Sequence, residues 1–102
     1  MTPTEAKELL IGGMNYAAYR EEGYSLWPSD MNRLFGEQHY PEDCPNYSAS
    51  VWGEGDEFEG KAAQLLKWAI RLGTSLGSYP DALALLRNDD GCLGRVIRKA
   101  SL

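Results

Sequence analysis

The sequence predicts a mostly α-helical fold: a single small bundle of four to five helices carrying a long acidic loop insert. Three observations carry this prediction. Apolar residues recur at helical spacing on either side of an interval that lacks it. Proline and glycine stand where helices should start and stop. The one segment with extended character, residues 47–52, has no second strand to pair with. At 102 residues the chain has the length of one ordinary domain. With 43 % apolar and 25 % charged residues it is composed like a folded protein and can bury one core without a metal or disulfides.

Thr2, Pro3 and Glu5 open the first helix. Thr2 suits the N-cap, Pro3 suits the first helical position, and Glu5 closes a capping box on Thr2. Ala6, Leu9, Leu10, Gly13, Met14 and Ala17 then share one face, and Gly23 suits the C-cap. Gly12 and Gly13 interrupt the pattern, at about 1 kcal/mol each relative to alanine. Either the helix kinks there, or Gly13 lets another backbone come close.

Trp27, Pro28, Ser29 and Asp30 open a short second helix that runs to Phe35, with Met31, Leu34 and Phe35 for burial and Gly36 as its stop. No helical period follows until about Asp56. Pro41, Pro45, Gly53 and Gly55 punctuate this interval, which reads as a loop with a short extended segment at 47–52.

The third helix is the clearest, from about residue 57 to residue 76. Ala62, Leu65, Leu66, Ala69, Leu72, Gly73 and Leu76 share one face; Lys61, Gln64, Lys67, Arg71 and Thr74 share the other. Acids at its start and bases further along match the helix dipole, and Gly77 is its expected stop. Trp68, at the flank of the apolar face, reads as a cover over the edge of the core. Ser78, Tyr79, Pro80 and Asp81 restart a helix to about Arg87, with Ala82, Leu83, Leu85 and Leu86 inward. Asn88, Asp89, Asp90 and Gly91 form a turn. A last helix, residues 92–99, puts Leu93, Val96 and Ile97 inward and Arg95, Arg98 and Lys99 outward.

Charge is unevenly spread. The formal net charge is −5, made of −2 over residues 1–36, −7 over residues 37–60 and +4 over residues 61–102. The middle stretch holds Glu37, Glu42, Asp43, Glu54, Asp56, Glu57 and Glu59 with no lysine or arginine. Tyr40, Tyr47, Trp52 and Phe58 lie among them. Ordinary surfaces mix both signs, so a one-sign stretch asks for a counterpart. The functional reading is a partner-binding surface for a basic protein, formed by Glu42, Asp43, Tyr47, Trp52, Glu54, Asp56, Glu57, Phe58 and Glu59. Carboxylates steer toward a basic partner, and aromatic rings supply rigid contact area. At phosphate-like spacing, such carboxylates would imitate nucleic acid. The alternative is a solvated loop whose aromatics tuck back over the bundle. The acids can also meet the chain's own basic half, or that of a second copy in a homodimer or assembly module. Direct binding to nucleic acid is disfavoured by the acidic balance.

Other chemistries find little support. His39, Asp43 and Cys44 are a loose group without the paired spacing of a zinc site, so no metal or other cofactor is expected. The residues around Glu54 and Asp56 lack the alternation of a calcium loop. No nucleophile elbow, phosphate loop or paired-histidine motif occurs, and one histidine leaves only carboxylates as general bases, so no enzyme is expected; a small metal-dependent enzyme around His39 is the remote alternative. Two cysteines are too few for a disulfide framework. With no signal-like start and no long apolar run, a cytoplasmic location is expected. Short length, net acidity and absent catalytic motifs together resemble small phage-encoded inhibitors, anti-CRISPR and anti-restriction proteins included. The likeness is one of composition, implies an inhibitor-like role, and carries over no residue.

Overall fold

Five helices form among the residues that the computed structural model of the chain describes, 1–44, 52–73 and 78–101. They are α1 (Pro3–Glu22), α2 (Pro28–Phe35), α3 (Asp56–Leu72), α4 (Tyr79–Leu86) and α5 (Cys92–Lys99). Helix α1 packs against α3 and α4, and α5 closes the bundle against α3 and α2. Leu10, Met14, Phe58, Leu65, Leu66 and Ile97 are fully buried in one shared core. No described residue lies in a strand; of the expected extended segment, residues 47–51 lie outside the described residues. No described helix is long and apolar enough to cross a membrane.

The helix ends form as their residues dictate. The Thr2 hydroxyl accepts from the Glu5 N–H at 3.1 Å, and the Glu5 carboxylate accepts from the Thr2 N–H at 2.9 Å, completing the capping box. The Thr2 backbone N–H foremost, and then the Thr2 side chain, hold the Glu5 carboxyl below its usual range. Gly23 and Gly36 adopt left-handed conformations, φ 78° and 82°, and end α1 and α2.

Helix α1 runs through Gly12 and Gly13 as one helix, and what Gly13 admits is a side chain rather than a backbone. A Cβ built there would coincide with the Tyr79 hydroxyl and stand 3.3 Å from the Ala69 Cβ. Gly13 is thus the seat on which α4 docks against α1.

Three expectations are corrected. Helix α3 ends at Leu72, not near residue 76: Gly73 turns left-handed (φ 66°) and donates its N–H to the Ala69 and Ile70 carbonyls. Residues 74–77, including the expected stop at Gly77, lie outside the described residues. Leu85 faces outward, 44 % exposed. The buried band of α1 also takes in Ile11 and Ala18, because helices pack on more than one side of it.

The turn between α4 and α5 is held by α5 itself. The Asp89 carboxylate accepts from the Gly91 N–H at 2.8 Å. Arg98 donates to the carbonyls of Arg87 (2.8 Å) and Asp89 (3.0 Å), and Arg95 to that of Asp90 (2.9 Å). These carbonyls follow the end of α4, where no further helical turn would satisfy them.

Candidate binding site

Two successive residues of α2 fix both ends of the acidic insert. The Asn32 side-chain oxygen accepts from the N–H groups of His39 and Tyr40, both at 2.8 Å, and its amide donates to the Tyr40 carbonyl at 2.9 Å. Arg33 donates to the Gly53 carbonyl at 3.0 Å. Residues 39–40 and residue 53 are therefore both held beside one short helix. Glu42 and Asp43 follow the first anchor and Glu54 follows the second.

Arg33 does more than anchor. Its guanidinium lies 3.8 Å from the centroid of the Phe58 ring. Phe58 is 1 % exposed and packs at 5.5 Å from the Trp52 ring. Phe58 is therefore a core residue and not contact area for a partner, and Trp52, 9 % exposed, is a wall rather than an outward anchor. Phe58 lies in the shared core under the Arg33 guanidinium, and Trp52 packs against it. Tyr47 lies outside the described residues.

The carboxylates divide into two groups. Glu59 pairs with Arg95 at 3.1 Å and Asp56 with Lys99 at 3.4 Å, so the start of α3 neutralises the basic face of α5. The Glu59 bond holds the Arg95 guanidinium more firmly protonated than usual. Glu37, Glu42, Asp43, Glu54 and Glu57 are exposed and form no ion pair with a described residue.

Beside this surface is a feature that the sequence did not reveal. A cavity of 430 Å³ is lined by Glu22, Tyr24, Trp27, Asp30, Trp52 and Lys61. Chain segments far apart in sequence meet here: the end of α1, the start of α2, the end of the insert and the flank of α3. The Trp52 indole N–H donates to the Tyr24 hydroxyl at 2.9 Å, fixing two rings to each other. Burial pushes the Tyr24 phenol up, opposed by that hydrogen bond. Asp30, 2 % exposed, sits in the first turn of α2, where the dipole favours an anion. Lys61 pairs with Glu22. The signal that could have found the site is Tyr24 and Trp27 beside Asp30, three residues whose types suit a lined cavity, but their meeting with Trp52 is set by tertiary packing.

The remaining candidates are placed as follows. His39 is exposed and stacks on Phe35 at 4.2 Å. Among the described residues, no three His, Cys, Asp or Glu side chains converge as metal ligands would. Cys44 and Cys92 are free thiols, and burial pushes the Cys92 thiol up. Trp68 covers the core edge with Lys61 over its ring at 5.8 Å. No family model, no curated protein and no solved structure matches this chain.

Proposed function

We propose that this chain is a small, non-enzymatic, inhibitor-like binding protein that occludes a basic surface of a partner protein, of the kind that nucleic-acid-binding proteins present. The observation that supports this reading is the set of five exposed carboxylates, Glu37, Glu42, Asp43, Glu54 and Glu57, without an ion pair among the described residues; Glu42 and Asp43 lie between the two anchors of the insert and the other three just outside them. Carboxylates left unneutralised in this way raise the on-rate for a basic partner and repel acidic ones. Asp56 and Glu59 take a different role, since they are occupied by α5.

The test is affinity capture from native-host lysate at low and moderate salt, with the protein against its quadruple variant Glu42→Lys, Asp43→Lys, Glu54→Lys, Glu57→Lys. A specific basic protein should be retained by the first and lost by the second. Equal retention by a variant of unchanged melting temperature overturns the reading.

A further inference from the structure

We propose that the cavity lined by Tyr24, Trp27, Trp52, Glu22 and Asp30 binds an alkylated ammonium group. Three of its walls are aromatic, and the faces of tryptophan and tyrosine attract cations within about 6 Å of the ring centre. Its ionisable lining is Glu22, Asp30 and Lys61, and the Glu22–Lys61 pair cancels, so the lining holds no surplus positive charge to attract an anion. Its volume of 430 Å³ falls in the range of small-ligand sites, about 300–1,000 Å³. The two rings joined by the Trp52–Tyr24 hydrogen bond are already set, so little ordering is needed on binding.

The alkyl groups follow from how the cavity treats a bare ammonium. A bare ammonium carries three donors and strong hydration, and it needs acceptors in place of water. Lys61, which lines this cavity, meets that need with the Glu22 carboxylate. An alkylated nitrogen has fewer donors or none and sheds water at lower cost, so aromatic walls suit it. Such a group can arrive on a free small molecule or on a modified lysine side chain of a docked protein. The site stands independently of the carboxylate surface, because its test requires no partner.

The experiment titrates the full chain with choline and, separately, with the neutral isostere in which a quaternary carbon replaces the nitrogen. Tryptophan fluorescence and the ring-current shift of the methyl protons report binding. Choline is expected to saturate with an upfield methyl shift, and the isostere to bind about tenfold more weakly. Trp27→Leu is expected to weaken choline about fivefold. Isostere binding as tight as choline, or no saturable choline shift with folded protein, overturns the proposal. The isostere comparison uses unmutated protein, so it decides even if Trp27→Leu disturbs the start of α2. A peptide bearing trimethyllysine separates the two sources. Tighter binding than choline assigns the site to a protein side chain, and weaker binding with choline retained assigns it to a free small molecule.

Discussion

Replacing Gly12 and Gly13 by alanine, one at a time, should move stability in opposite directions although the two residues adjoin on α1. Alanine relieves the helix of about 1 kcal/mol at either position. At Gly12 that gain stands alone, since the residue is exposed and a Cβ there has nothing within 4 Å. At Gly13 the new methyl would occupy the place of the Tyr79 hydroxyl and lie 3.0 Å from the Tyr79 Cζ. Tyr79 is 3 % exposed at the start of α4, so its ring cannot swing into solvent without undocking that helix. Overpacking of this kind costs about 1–3 kcal/mol. Gly12→Ala should therefore gain about 1 kcal/mol, while Gly13→Ala ranges from neutral to a loss of about 2 kcal/mol. At about 4–8 °C per kcal/mol for a domain of this size, the two variants should melt at least about 4 °C apart. Thermal and urea unfolding followed by far-UV circular dichroism measure this. Tyr79→Phe in the Gly13→Ala background removes the displaced oxygen, so the double-mutant cycle should show a coupling of about 1 kcal/mol. A Gly13→Ala protein that melts with or above Gly12→Ala, or a coupling of zero, refutes the docking of α4 through this glycine.

Glu5 is a carboxyl whose folded-state pKa lies below its unfolded one. Its contribution to stability is thus present above the ordinary glutamate range and lost as pH falls through the folded value. Glu5→Gln should flatten the acid limb of a melting-temperature profile, and identical slopes for both proteins would contradict the capping box. Phe58→Ala, emptying the centre of the core, should cost about 3–5 kcal/mol, whereas Phe58→Leu should retain cooperative unfolding in urea. Burial raises the Cys92 thiol, so in a Cys44→Ser background iodoacetamide should label Cys92 more slowly at neutral pH than it labels free cysteine, as read by mass spectrometry. Glu54→Lys should leave the stability within the scatter of surface changes, about 0.5 kcal/mol, because the exposed Glu54 side chain makes no ion pair with a described residue; a larger loss would assign it a structural role.

Helix starts and stops were the most legible part of the fold, because they are decided locally. Thr2, Pro3 and Glu5 dictate one end of α1 and Gly23 the other, whatever the rest of the chain does. Pro28 and Gly36 do the same for α2. Periodicity overruns the end of α3 because Gly73 falls on the apolar stripe; only its left-handed backbone shows that it is a stop. The sign and position of the acidic stretch could be read directly. Which acids are occupied could not, since Arg95 and Lys99 reach Glu59 and Asp56 across more than thirty residues. Trp52 and Phe58 look like surface aromatics in an acidic loop until Arg33, a residue of another helix, is seen over the Phe58 ring. The cavity was illegible for the same reason. Its walls come from four stretches of chain, and no spacing rule links Tyr24 and Trp27 to Trp52.

Asn32 and Arg33 tie the two attachment points of the insert to one rigid element. Both points are held by consecutive residues of one helix, so α2 sets how far apart the ends of the chain between Tyr40 and Gly53 stand. Each doubling of such a closed segment costs only about 0.6 kcal/mol. Lengthening that segment therefore costs little in closure entropy while the Asn32 and Arg33 bonds hold. Loss of either side chain would remove the hydrogen bonds that hold one end of the segment, so its closure depends on two neighbouring residues of α2.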